Sequence, residues 1–407
     1  MKKFLAMLLA MAMLLTMVSS CALADDAIAL KVWVGANEDI EWLDGVVAAF
    51  KAAHPEATFD ITYDIVSEGD AKSKVLADPE AAADVFTFAD DQFVDLVAAG
   101  ALQEVVMNAD AIIAANGGLE AGAVQACMSN GTLYAYPATA DNGYFMFYNK
   151  AYFTEEDVQS MDRMLEIAAQ NGKYIGMEVS GWYLYSFFKG AGLTMKSDAT
   201  GLQNECNWNA TDTPIKGVDV AQAIIDIGTN PGFLTFGGDS FVTGVKDGSV
   251  IAGVNGAWNA KVAEEAWGEN YAASKLPTYT VAGQQVQMGS FAGYKMLGVN
   301  PMSENVGYAM LLAEYMTNYE SQVSRFEIRG QGPSNVEAAA SDAVKANPAI
   351  SALAAQSAYA TIQVVANNYW APAETLGKLL ASGNPDGTDL QTLLDNAVAG
   401  ITAAPME

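Results

Sequence analysis

Histidine is all but missing from this chain: His54 is the single one in 407 residues. Histidine is the commonest general base and the commonest transition-metal ligand. A Ser-His-Asp triad would have to use His54, and His54-Pro55-Glu56 reads as a surface turn that ends a helix. Cysteine is nearly as scarce. The chain has three, too few for a disulfide scaffold and without the clustered spacing of a zinc site. Basic residues are outnumbered, 20 Lys and Arg against 48 Asp and Glu, for a net charge of −28. That deficit excludes nucleic acid as a partner, because phosphates would be repelled. It equally disfavours docking on an anionic lipid face through protein charge. Beyond the amino-terminal region no apolar run reads as a membrane span, and there is no short repeat, low-complexity tract or long linker. No metal or cofactor is expected. Any chemistry would have to rest on paired carboxylates, lysine or tyrosine.

What is present begins at the amino terminus. Lys2 and Lys3 precede an apolar run over 4–15, followed by Thr16-Met17-Val18-Ser19-Ser20-Cys21-Ala22. A basic start, an apolar core and small residues at a cut site make 1–24 an export signal peptide. The core falls short of the about 20 apolar residues of an ordinary span. Val18-Ser19-Ser20-Cys21 resembles the lipobox of bacterial lipoproteins, in which the Cys becomes the lipidated first residue. Cleavage after Ala22-Leu23-Ala24 fits a small-x-small site as well. The expected location is the outer face of the cell membrane, lipid-anchored through Cys21, with secretion or the periplasm as the alternative.

Apolar residues make up 51% of the chain and aromatics 10%. Such a composition buries large cores and argues against disorder, and the length suggests two domains. Leu30-Lys31-Val32-Trp33-Val34 reads as a buried strand. Glu38 and Asp39 open a helix that Pro55 stops. Strands follow over 59–66 and 84–88, with a helix over 91–99. Two more strands, 134–137 and 144–148, are joined by 138–143. A second region has a helix near 155–170, a strand over 174–179, an aromatic segment 182–188 and a helix near 218–228. Residues 294–299 are strand-like, and from Glu304 onward the chain is mainly helical. Strands alternating with helices predict an α/β fold with mostly parallel sheets.

Trp33, Phe88, Trp182, Tyr183, Trp258 and Trp370 sit beside turn residues rather than inside periodic helices. A sugar ring presents an apolar face of C–H bonds and an edge of hydroxyls. Flat aromatics cover the face, while carboxylates and amides bond the edge. Mixtures of that kind occur at Phe88-Ala89-Asp90-Asp91-Gln92, Asp141-Asn142-Gly143-Tyr144, Asn255-Gly256-Ala257-Trp258-Asn259 and Asn367-Asn368-Tyr369-Trp370.

Four blocks carry a more specific likeness. They are Lys31-Val32-Trp33-Val34 with the helix ending Ala49-Phe50-Lys51 before His54-Pro55; Ala83-Asp84-Val85-Phe86-Thr87-Phe88-Ala89 with Asp91; Gly131-Thr132-Leu133-Tyr134-Ala135-Tyr136-Pro137 with Tyr148-Asn149-Lys150; and Phe241, Gly248 and Ala252-Gly253-Val254-Asn255-Gly256-Ala257-Trp258. In order and spacing the mature chain resembles the maltose-binding class of extracellular solute-binding proteins that serve ABC sugar importers. The resemblance implies a two-lobed, type II periplasmic-binding-protein fold. One lobe would be 25–139 with 288–338, the other 140–287 with 339–407. A hinge of two or three strand crossings would join them around a sugar cleft. It implies a monomer that closes on an oligosaccharide, most simply a maltodextrin-type α-glucan, and then docks on ABC transporter permease subunits, without chemistry of its own.

Carried over by position, the resemblance gives Asp91 a sugar-bonding role and Phe88 an aromatic one beside it. Asp141 or Asn142 takes the hinge-proximal polar position. Trp258 and Trp370 become platforms of the second lobe, and Trp182 or Tyr183 supplies a further aromatic. The loop Gly35-Ala36-Asn37-Glu38 departs from the maltose binder, which has an acidic residue followed by lysine there; Asn37 can still bond hydroxyls, but the lysine is gone. Gln92 replaces an arginine. Gly289-Ser290-Phe291 is a further candidate cleft segment. Two other readings stay open: a secreted glycoside hydrolase drawing on Asp90, Asp91, Asp141 or Glu178, and a binder of a non-sugar solute such as a peptide or polyamine. Glu68-Gly69-Asp70 and Asp90-Asp91 lack the alternating acidic loop of a strong calcium site. The resemblance puts Cys127 and Cys206 in different lobes, where free thiols are expected.

Overall fold

The computed structural model describes residues 27–198, 203–235 and 240–404. The leader and Cys21 lie outside the described residues. The first sheet begins with Ile28–Val34, which pairs in parallel with both Phe59–Ile65 and Val85–Ala89. Lys295–Val299, far away in sequence, runs antiparallel between Val85–Ala89 and Tyr136–Thr139. Apolar residues on this sheet pack against the helix Ile40–Ala53, which buries Trp42, Leu43, Val46, Val47 and Phe50 along one stripe. That helix ends at His54, whose backbone N–H bonds Phe50 O at 3.1 Å and whose ring lies 4.7 Å from that of Phe50. Pro55 follows and cannot continue it.

The second sheet runs in the spatial order Phe233–Leu234, Tyr174–Gly176, Val250–Asn255, Phe145–Asn149, Tyr271–Ser274. Both of its faces are covered. Ile251, Val254 and Met146 look into one core, and Phe145, Phe147 and Val250 into another that holds Ala349 and Ala352 of the helix Pro348–Gln356. Burial on both faces explains the near-continuous apolar strands.

The aromatic segment 182–188 is a helix, Gly181–Gly190, with Tyr183, Leu184, Tyr185, Phe187 and Phe188 all buried. Tyr185 stacks on Phe291 at 3.9 Å, and Phe188 on Trp208 at 4.2 Å. A helix buried nearly all round shows no amphipathic period, which hides it from pattern reading.

Three segments cross between the lobes side by side. Ala140 N bonds Gly332 O at 3.0 Å, and Asn142 N bonds Gly293 O at 3.2 Å. Ser290–Ala292 pairs with Ala360–Ile362 beside them. Cys127 lies in the core of the first lobe and Cys206 packs against that of the second, both as free thiols.

Candidate functional site

The loops at the carboxyl ends of the parallel strands face one another across the gap between the lobes, where open α/β sheets hold ligands. They enclose a cleft of about 900 Å³. The far wall is aromatic. Trp182 and Trp258 lie with ring centres 5.7 Å apart at 33°, and Trp370 extends the same wall. Trp182 opens the helix Gly181–Gly190 and Trp370 opens Trp370–Ala381, so both stand at helix starts rather than in loops. Trp258 folds back over Gly256. A Cβ there would come within 2.1 Å of the indole, so glycine is what lets the ring lie flat. Asn255 holds this turn, accepting from Gly256 N and from Asn259 Nδ2, each at 2.9 Å.

The near wall is polar. Asp91 follows Val85–Ala89 and leaves its Oδ1 buried without a hydrogen-bond partner. Burial pushes its carboxyl up to about 6, against the pull of the Lys72 ammonium and a hydrogen bond from Gln363. Gln363 also accepts from Trp182 Nε1, linking the aromatic wall to the acidic one. Lys72 spans the gap too, 2.6 Å from Asp95 Oδ2 and 3.3 Å from Asn367 Oδ1. Lys295 pairs with Glu68 Oε1 at 3.1 Å while its ammonium sits 4.8 Å from the Trp258 ring. Below them, Arg329 Nε donates to Asp39 Oδ1 at 2.8 Å, both side chains buried. Burial raises the Asp39 carboxyl, but Arg325 and Arg329 outweigh it and hold it below the usual range.

Of the residues singled out from sequence, Asn37, Asp91, Asn142, Trp182, Tyr183, Trp258 and Trp370 line this cleft. Phe88 does not. Its ring is fully buried in the first-lobe core, 5.7 Å from Phe86, because it belongs to a strand covered on both faces. Asp141 is also turned away. Its Oδ2 accepts from Gly332 N at 2.6 Å, so Asn142 is the hinge residue that meets the cleft. Phe291 lies in the second-lobe core, stacked on Tyr185. Asp90 accepts from Tyr294 N at 3.1 Å, beneath the returning strand. Gln92 staples the 68–72 loop, with Nε2 on Glu68 O and Oε1 on Lys72 N. Lysine, missing after the first strand, enters the cleft from elsewhere as Lys72 and Lys295. Neither shows a local sequence signal, since the long separations of their partners are set by the fold.

Residues 45–352 match the family described as bacterial extracellular solute-binding protein. The chain belongs to that family. This solute-binding protein is 24% identical to the galactooligosaccharide-binding protein of Bacillus subtilis (strain 168), over 88% of its own length and 85% of the relative's. Its fold matches a solved structure described as being with acarbose, at 30% identity and a TM-score of 0.81 over 93% of this chain and 99% of the other. It also matches the maltodextrin-binding protein MalE1 from L. casei BL23, solved without ligand, at 25% identity and a TM-score of 0.74, over 93% of this chain and 100% of the other. Two of these relatives are named as binding proteins, and the two-lobed architecture matches the solved structures. Among the described residues, no helix of this solute-binding protein is long and apolar enough to cross a membrane.

Proposed function

We propose that this protein captures an oligosaccharide by closing its two lobes on it, and delivers the sugar to the permease subunits of an ABC importer. The observation that carries the reading is the cleft itself. Three tryptophans on one lobe face carboxylate, amide and ammonium groups on the other, which suits the faces and edges of a sugar chain. The lobes are 25–139 with 288–338 and 140–287 with 339–407, moving about the crossings at 140–143, 290–294 and 330–334. Ligand that touches both walls favours the closed form by the contacts it makes only there. The protein acts as a monomer and performs no chemistry. An α-glucan of the maltodextrin type is the preferred ligand, supported by the relatives solved with acarbose or named for maltodextrin. Cys21 anchors it to the outer face of the membrane.

Isothermal titration against maltotriose, maltotetraose and a galactosyl oligosaccharide tests the reading. Heat is expected from at least one of them, strongest from the α-glucans, and no binding at millimolar sugar would sink the proposal. The bound sugar should be recovered intact after long incubation; hydrolysis products would point to the glycosidase alternative instead. A Cys21→Ala chain, expressed with its own leader, should move from the membrane fraction to the medium.

A further inference from the structure

Lys295 opens the strand that returns to the first lobe, where it pairs with Ala89 on one side and Thr139 on the other. Its side chain is buried along the cleft wall. The ammonium bonds Glu68 Oε1 at 3.1 Å and stands 4.8 Å from the centre of the Trp258 ring, across the gap. Glu68 is itself fixed. Gln92 Nε2 holds its carbonyl oxygen at 2.6 Å, and its carboxylate lies over Gly35, where a Cβ would come within 2.4 Å of both oxygens. Trp258 has one face to offer. The other is backed by Gly256, where a Cβ would sit 2.1 Å from two atoms of the six-membered ring and 2.5 Å from a third.

An ammonium within about 6 Å of an indole face is attracted to it. A sugar ring seeks the same face with its C–H bonds, and the two cannot share it. An interaction made only while sugar is absent stabilises the sugar-free state and so weakens binding. Leaving the ring is easy for the ammonium, because Glu68 stays beside it and no unpaired charge is buried. We propose that Lys295 competes with the ligand: its ammonium covers the Trp258 face in the sugar-free protein, and an arriving sugar displaces it towards Glu68. This role rests on the cleft taking sugar, and it makes a residue of the first lobe a determinant of affinity through the sugar-free state.

Changing the side chain in two directions tests the role, with the tightest binder among maltotriose, maltotetraose and the galactosyl oligosaccharide as probe. In isothermal titration Lys295→Ala should bind it about two- to tenfold more tightly than wild type, because the competitor is gone. Lys295→Arg should bind it about two- to tenfold more weakly, because a planar guanidinium stacks on an indole more firmly than an ammonium does. A lysine that merely supported the wall would give the reverse order, with alanine worst and arginine close to wild type. That reverse order, or equal affinity in all three chains, would overturn the proposal. Calorimetry checks that each variant is folded. If Lys295→Ala does not fold with Glu68 left unpaired, Lys295→Ala combined with Glu68→Gln takes its place, and the same tightening is expected. A wild type that binds none of the sugars sinks the sugar reading itself. A wild type that binds, with Lys295→Ala no tighter, sinks only the competing role of Lys295.

Discussion

Asp91 shows how a single side chain pays for its position. Its carboxyl titrates at about 6 in the folded chain, because burial disfavours the charged form. In the unfolded chain it titrates at about 3.9. The folded state therefore holds this proton more tightly. Stability from the group is fully present below about pH 4 and is lost as pH rises through about 6. Relative to wild type, Asp91→Asn is expected to gain roughly 1–3 kcal/mol at pH 7 and nothing at pH 4, read by urea denaturation at the two values. The same substitution should weaken sugar binding, since it removes a charged acceptor from the cleft wall. At Trp258, replacement by alanine should cost at least about tenfold in sugar affinity, with the melting curve little changed because the ring is only half-buried. Titration of the variant decides it, and unchanged affinity would remove that ring from the site. Aromatics placed among Asn and Asp were readable in the sequence because both halves of the signal sit together, as in 255–259. Phe88 carries the same local signal and lies in the core. Neighbouring residue types do not say which face of a strand meets solvent when both faces are covered. Lys295 was unreadable for the opposite reason: its neighbours Met296 and Leu297 belong to a core strand, and its role comes from Glu68 and Trp258, which the fold brings to it.

At the scale of elements, the helix Tyr319–Arg329 is tied to the turn after the first strand by Arg329 and Asp39. Removing one partner of a buried pair leaves the other charge uncompensated, at a cost of about 3–5 kcal/mol. Arg329→Met should therefore lower the melting temperature by several degrees in calorimetry; a change within error would show the pair to be dispensable. Asp39 is held below its ordinary range, so its contribution is present above the unfolded pKa and fades as pH falls through the folded one. The variant's deficit should accordingly shrink in acid. Most elements of this kind were legible. Ile40–Ala53 shows an apolar stripe, an acidic start and a proline stop. Gly181–Gly190 was not legible as a helix, because side chains buried on every side erase the period that pattern reading depends on. The tryptophans that open helices, Trp182 and Trp370, stand beside turn residues in the sequence for a related reason: a helix start and a turn share the same flanking residue types.

For the whole molecule, the contacts that join the walls include Gln363 to Asp91, Lys72 to Asn367, and Lys295 over Trp258. Each is a single contact of about 1 kcal/mol, so a solute that touches both walls adds to the preference for closure. Saturating sugar should reduce the radius of gyration in small-angle scattering and shift tryptophan emission together; a radius unchanged at saturation would contradict hinge closure. Lys72→Ala should weaken sugar binding several-fold while leaving each lobe folded. The fold class was legible from the alternation of strands and helices. How the crossings stack was not, since bonds such as Ala140 to Gly332 join residues remote in sequence.

The strand Lys295–Val299 lies inside the first sheet, between Val85–Ala89 and Tyr136–Thr139. During synthesis, those two edges wait for a partner that begins 206 residues after Ala89 and 156 after Thr139. Until Val299 has left the ribosome, the first lobe cannot complete its sheet, however early its own amino-terminal strands emerge. Contacts so distant in sequence make folding slow. In a member of an extracellular family, such a delay would keep the chain threadable until about three-quarters of it has been made.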